Sequence, residues 1–443
     1  MSVDTKKMDA IERYTFSAEK IIESNENQFL SKLQSESKTK LSEMKFPTLK
    51  TEEWKYTNLK PLLNSEFVHS AELDDVEITC DDVDKIKFQN FDNYLLVFVN
   101  GVLQKELSDY DELKKEIIVS TISDALVESK DLIEKHFTKI VVDKTAFDYL
   151  NLSNFEDGFF IQVPNNKVLE KPIQIVNITG NKNKMVFSPS RNLIVIGKNS
   201  EASIVQNYCG IEGEQYFNSI SSEIFIDQNG VLNIYKVELE NEDSYHIDKT
   251  DILQSRDSQF NHFNFTFGGK LIRNDINTEL NDENIECTLN GLYIGNDKQH
   301  IDNNTFINHA KPHCTSNELY KGILDDNSRG VFSGKILVER DAQLTNAYQN
   351  NNTILLSDDA TVDTKPQLEI YADDVKCTHG ATVGQLDESA MFYILSRGIS
   401  KEKAKAILIT AFAESVVEGV KIEPLRNKLN NLINEHLNRD KVL

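Results

Sequence analysis

Cys377 and His379 are separated by a single threonine. If that segment is a strand, residues i and i+2 point to the same face with Cα atoms about 7 Å apart. A thiolate and an imidazole at that spacing can reach one soft metal ion or cluster, but they supply only two ligands. Any such site needs further donors from elsewhere or from another chain, and a packing role is the simpler reading of the pair alone. His309, His313 and Cys314 lie in His309-Ala310-Lys311-Pro312-His313-Cys314. Pro312 argues against a helix, so the histidines are not an i, i+4 pair. In an extended chain they lie about 13 Å apart, too far to share one ion without a loop. Packing or turn hydrogen bonding is the simpler role for them too.

Other chemistries fail on spacing. Gly330-Val331-Phe332-Ser333-Gly334-Lys335-Ile336 has three residues between its glycines where a phosphate loop has four. Ile336 also stands where Mg²⁺ binding needs Ser or Thr. A β-turn is the expected structure there, and the chain is not expected to hydrolyse ATP itself. No GxSxG or HExxH occurs. The pairs Asp358-Asp359 and Asp373-Asp374 could form a glycosidase-like carboxylate couple, but acidic turns are the simpler reading in a chain of net charge −23.

That charge, from 48 Lys and Arg against 71 Asp and Glu in 443 residues, argues against a nucleic-acid surface. A prior of roughly 150 residues per domain allows two or three units. No run approaches the roughly 18 apolar residues of a membrane span, and the opening MSVDTKKMDAIERYTF lacks an apolar export segment. The five cysteines form no CxxC pair and are too scattered for a disulfide framework. These features lead to an expectation of a cytoplasmic chain with no nucleic-acid or membrane partner.

Three zones must position the chemistry. Residues 1–65 read as helical, with Ile11, Ile21, Ile22, Phe29, Leu30 and Leu33 at helical spacings. The segment around Trp54, the only tryptophan, reads as a connection whose aromatics pin those helices to the core. From about 90 to 385, short β-branched runs such as Leu193-Ile194-Val195-Ile196 alternate with turn clusters such as Gly197-Lys198-Asn199-Ser200 and Asp227-Gln228-Asn229-Gly230. No interleaved helices are expected there. A solenoid of stacked β-coils suits that length better than a sandwich. The end is helical again, with Asp387 and Ser400 as caps and Gly398 as a stop. Ala404, Ile407, Leu408, Ala411, Phe412 and Val416 read as one apolar stripe, and Leu425, Leu429, Leu432, Ile433 and Leu437 as another. The expected division is 1–65, 66–385 (the β core with its lead-in) and 386–443.

The run from Thr364 to Asp387, with Lys376-Cys377-Thr378-His379-Gly380 inside it, resembles the SufB/SufD family of the SUF iron–sulfur cluster assembly system. The likeness continues through Phe392-Tyr393 and Ser396-Arg397-Gly398-Ile399 to near Glu418. It also covers Pro312 to Leu324, Gly330 to Lys335, and Glu53-Trp54-Lys55-Tyr56-Thr57. The SufB sibling carries a different sequence at Lys376 to Gly380, so the resemblance lies on the SufD side of the family. It implies a mainly β protein, a right-handed parallel β-helix flanked by N-terminal and C-terminal helical domains. It also implies a non-catalytic scaffold subunit in a cytoplasmic complex with a SufB-like subunit and two copies of a SufC-like ATPase. The β-helix would pair edge to edge with that of SufB, and the ATPase would dock on the C-terminal helices. The expected docking residues are Phe392, Tyr393, Arg397, Ile399, Leu408 and Phe412. In the family, the histidine matching His379 is a cluster ligand facing a cysteine of SufB, and Cys377 is its neighbour in the motif. The isolated chain would hold no stable cofactor, only a transient iron–sulfur cluster shared with SufB. Two other readings stay open at this point, a SufB-like primary cluster scaffold and a carbohydrate-binding β-helix protein. Pairing of the chain with itself, when alone, is open as well.

Overall fold

The computed structural model describes residues 8–25, 27–73, 76–140 and 144–437. Its centre is a parallel β-helix made of two ten-stranded sheets. The first sheet stacks Phe159–Val163, Val186–Ile196, Tyr216–Ile226, Tyr245–Gln254, Leu271–Leu280, His300–His309, Arg329–Val338 and Thr361–Ile370. The second stacks Ile173–Thr179, Glu201–Gly210, Val231–Leu239, Gln259–Thr266, Glu286–Gly295, Thr315–Leu324, Thr345–Leu355 and Val375–Gly384. The chain alternates between them, so each coil lies in register on the one before and equivalent residues form columns. One interior column of the second sheet runs Ala202, Leu232, Phe260, Cys287, Ser316, Ala347 and Cys377. Two residues further on, another runs Ile204, Ile234, His262, Leu289, Glu318, Gln349 and His379.

The turn clusters of the sequence are the corners of these coils. At one corner Asn166, Asn199, Asn229, Asp257, Asn284, His313 and Leu344 all take φ between 53° and 63°. Asn and Asp tolerate this left-handed region best among residues with a side chain, which explains their recurrence. Their side chains bond from coil to coil, as in Asn229 Nδ2 to Asn199 Oδ1 at 2.9 Å. His313 is therefore a corner residue, its N–H donated to Gln343 O at 3.0 Å.

Different helices cover the two outer faces. The helices Ala10–Ser24 and Gln28–Glu43 lie on the first-sheet side, where Tyr14, Leu41, Phe46 and Trp54 join Phe147, Phe187, Phe217 and Tyr245 in one apolar cluster. Trp54 stacks on Phe147 at 5.1 Å, and the Arg273 guanidinium lies 3.7 Å from the centre of the indole. Arg273 also donates to Glu53 O at 3.0 Å and to Asp302 at 2.6 Å. The tryptophan segment thus does pin the N-terminal helices to the β-helix.

Two expectations need correction. Helices do occur in the lead-in to the β-helix, at Tyr110–Leu113, Ile122–Glu128, Lys130–His136 and Ala146–Asn154. Thr121 caps the second of these, and a Thr145/Asp148 capping box opens the last. Ile122, Leu126, Ile133 and Phe137 cover Phe160, Leu193 and Val195 of the first sheet. Gly330 to Lys335 forms part of a strand and not a turn.

Glycines inside the second sheet give the ladder its fit. Gly291 lies beside Tyr320, and Gly322 beside Tyr293, in the same pair of strands. A Cβ on Gly322 would sit 2.4 Å from Tyr293 Cζ, and one on Gly291 would sit 2.3 Å from Tyr320 Cε1. Gly322→Ala is accordingly expected to cost about 1–3 kcal/mol through overpacking. A denaturation midpoint lower than that of the parent checks this, and an unchanged midpoint would refute it.

Candidate functional site

Cys377 and His379 lie on the last strand of the second sheet, in the two interior columns described above. The β-helix ends here, so Val375–Gly384 and Thr361–Ile370 each have a strand neighbour on one side only among the described residues. Cys377 is half-buried and packs against the interior apolar core, while His379 is exposed at the open end. The spacing argument is met: both side chains issue from one face of one strand. Burial raises the Cys377 thiol above its ordinary pKa, opposed by a hydrogen bond from the Ala347 backbone. The resting form is then the thiol, and binding a metal there would release a proton. Among the described residues, no three His, Cys, Asp or Glu side chains gather closely enough to hold a metal ion.

Below His379 the column turns polar. Gln349 Nε2 donates to Glu318 Oε2 at 2.6 Å, and both side chains are buried. Burial pushes the Glu318 carboxyl up to about 7, with the Thr305 hydroxyl and then the Gln349 amide opposing the rise. Sequence reasoning missed both residues. Asn317-Glu318 and Gln349-Asn350-Asn351 look like turn material, and only the coil-to-coil register turns them inward.

The other singled-out residues have structural partners. His309 is buried, with Nε2 2.9 Å from Ser316 Oγ. Cys314 donates to Asp282 O at 3.2 Å. Asp358 and Asp359, like Asp373 and Asp374, fall in bends between strands. The densest buried charge lies deeper in the β-helix, where Lys236 meets Asp248 at 2.8 Å and Glu238 at 3.0 Å, and His246 Nδ1 meets Glu240 at 2.6 Å. A groove of about 1150 Å³ runs between the tryptophan segment and the first sheet. Its charges are largely matched within the chain, by Lys249 with Asp148 at 3.0 Å, Arg273 with Asp275 at 2.8 Å and Lys365 with Glu52.

The expected docking residues lie on and between the two helices that follow the last strand. Asp387 caps Glu388–Ser396 by accepting from Ser389 N and Ala390 N, and Ser400 caps Lys401–Val417. Gly398, with φ of 80°, separates the two helices. Phe392 is 74% exposed and Tyr393 59% exposed. Arg397 stacks on the Tyr393 ring and donates to its hydroxyl at 2.9 Å. Ile399, Leu408 and Phe412 are half-buried. Lys321 Nζ lies 4.4 Å from the Phe412 ring centre and donates to the Phe412 carbonyl at 2.7 Å. The stripe read for Lys401–Val417 is corrected. Ala404, Ile409, Ala413, Val416 and Val417 are the buried positions, whereas Ile407 is 42% exposed. That helix is apolar on most sides, and the second sheet selects the face. In Glu423–Leu437, Leu425, Leu429, Leu432 and Ile433 pack with it against Phe263, Phe265 and Leu292. The Leu437 side chain is outside those described. No helix among the described residues is long and apolar enough to cross a membrane.

Two family comparisons cover most of the chain. Residues 177–412 match the family described as SUF system FeS cluster assembly, SufBD core domain, and residues 6–175 match the SufBD protein N-terminal region. The chain is 33% identical to the iron–sulfur cluster assembly protein SufD of Escherichia coli, covering 88% of this chain and 89% of that protein. It is 30% identical to an iron–sulfur cluster assembly SufBD family protein of Synechocystis, over 89% and 88% of the two chains. With SufD of Bacillus subtilis the identity is 28%, over 86% and 87%.

The raised thiol pKa has a direct consequence. Iodoacetamide at neutral pH should modify the exposed Cys80 before Cys377, and Cys377 before the buried Cys209 and Cys287. Modification of Cys377 should accelerate as pH rises. Mass mapping of the modified peptides tests the order, and Cys377 reacting first would contradict it.

Proposed function

This chain belongs to the SufBD family of SUF-system iron–sulfur cluster assembly proteins, and we propose that it acts there as a non-catalytic, SufD-type scaffold subunit. One observation carries the reading: an open β-helix end that offers a thiol and an imidazole from one face of a strand with one free edge. An exposed strand edge is a template for pairing with another chain. A SufB-like subunit would pair along it, and the two ends would then close over a site holding a nascent iron–sulfur cluster as cargo. His379 would be a ligand from this side, with Cys377 beside it. The remaining ligands would come from the sibling. The same edge would let two copies of this chain pair when no sibling is present. The complex would be cytoplasmic.

The ATPase of the system, a SufC-like subunit, would supply the energy. It would dock on the exposed Phe392, Tyr393 and Ile407 surface of the C-terminal helices. Ile409, Ala413, Val416 and Val417 on the other side of the Lys401–Val417 helix share an apolar cluster with Phe263, Leu292 and Ile323 of the second sheet. ATP-driven pairing of the ATPase subunits would therefore act on the β-helix through a packed interface. It would shift the population between closed and open arrangements of the end.

Two experiments test the reading. After co-expression with a SufB-like and a SufC-like partner, native mass should give a complex containing all three. In that complex, His379→Ala should leave assembly intact and lower the anaerobic cluster yield by about 10-fold or more, the scale expected for loss of a ligand or its support. An unchanged yield would remove His379 from the mechanism.

Removing 387–443 is a poor test of docking, because it would strip the apolar cover from the second sheet. Phe392→Asp leaves that cover in place. Its stability should stay within about 0.5 kcal/mol of the parent, as for ordinary surface changes, while ATPase binding is lost. Retained binding in a pull-down would refute the docking surface.

A further inference from the structure

We propose that Gln349 is a positioning residue for His379: its amide is held on one side by Glu318, and its carbonyl oxygen accepts one imidazole N–H of His379. The second ring nitrogen is thereby turned toward the open end of the β-helix. The inference rests on the reading of His379 as a ligand.

The column supplies the argument. Glu318, Gln349 and His379 are consecutive partners in three adjacent strands, so each side chain has the next directly beside it. Neighbouring strands are about 4.8 Å apart, within reach of a side-chain hydrogen bond. Such bonds recur in this protein between residues one coil apart, as from Asn261 Nδ2 to Asn233 Oδ1 at 3.1 Å. Gln349 Nε2 donates to Glu318 Oε2 at 2.6 Å, and that bond holds the amide with its NH₂ group on the Glu318 side. Gln349 Oε1 is buried and without a hydrogen-bond partner, and the bond to His379 is made by turning the exposed imidazole toward it. A buried, unpaired carbonyl is costly, and here its next column neighbour is an imidazole, which carries a donor.

The surroundings make room for that amide. Gly334 lies across the interior on the first sheet, and a Cβ there would come within 2.3 Å of Gln349 Nε2. A side chain at 334 would therefore displace the amide that Glu318 holds. The chemical use is the one seen at metal-ligating histidines generally. A hydrogen bond on one ring nitrogen sets the tautomer and orientation, leaving the lone pair of the other nitrogen for the metal.

The test uses the full-length chain with ¹⁵N-labelled histidine, and Zn²⁺ alone as probe. In the parent, His379 should show one dominant neutral tautomer. Gln349→Met, of similar length but without the amide, should return the ring to a mixture and weaken Zn²⁺ binding about 10-fold or more. Glu318→Gln keeps an acceptor for the Gln349 amide and should keep both the tautomer and the affinity. Should Gln349→Met reduce the amount of folded chain, Gln349→Asn makes the same test by shortening the reach. A Gln349 variant that is folded yet retains the parental tautomer and affinity overturns the proposal. His379→Ala with unchanged Zn²⁺ affinity would instead overturn the underlying ligand reading, and the positioning role with it.

Discussion

The parallel, in-register ladder is the constraint on which everything else in this protein depends. Once coils stack residue on residue, each inward position has only two neighbours along its column and must match both. Apolar columns satisfy this by simple repetition, as from Ile204 to Ile234. Asparagines satisfy it by bonding amide to amide at the corners. The tyrosine–glycine pairs satisfy it by exchange of volume, Tyr293 filling the space over Gly322 and Tyr320 the space over Gly291. Two polar residues adjacent in a column can satisfy it by bonding to each other, as Gln349 does with Glu318.

The rule has a consequence at the end of the stack. Inside the β-helix many donors and acceptors are used by the coil above or below, and the buried side chains there are closed to an incoming ligand. The charged cluster of Lys236, Glu238, Glu240, His246 and Asp248 illustrates this, since its members are buried and bound to one another. Among the described residues, the columns of the last coil have a neighbour on one side. Cys377 and His379 stand in that coil, and their exposure relative to Cys287 and His262 follows from position alone. The N-terminal helices and the Lys401–Val417 and Glu423–Leu437 helices are engaged on the outer faces of the two sheets.

Much of this was legible in the sequence because short-range chemistry governs it. The corner residues declare themselves as Asn, Asp and Gly, the caps Asp387 and Ser400 are local signals, and two-residue spacing puts Cys377 and His379 on one face. What was not legible depends on partners distant in the chain. The face of the Lys401–Val417 helix could not be chosen by periodicity, since apolar residues surround it and the second sheet decides which are buried. The role of His313 was hidden because the corner it occupies is recognisable only beside the asparagines of other coils. Glu318 and Gln349 were hidden for the same reason. The helices between 110 and 154 were a different kind of miss, because the Thr145/Asp148 capping box that opens the last of them is itself a local signal.

In the proposed complex, pairing and completion of the site become a single event. The strand that offers Cys377 and His379 as ligands is also the strand with an unpaired edge. Any chain that hydrogen-bonds to that edge must place its own side chains in the same columns, about 4.8 Å further on. Ligands from the partner therefore arrive in register with those already present, without a separate search for geometry. The converse also holds, because separating the two edges removes half of the ligands at once. A site built this way binds its cargo while the ladder is continuous and gives it up when the ladder is broken, which is the behaviour required of a scaffold that must release what it assembles.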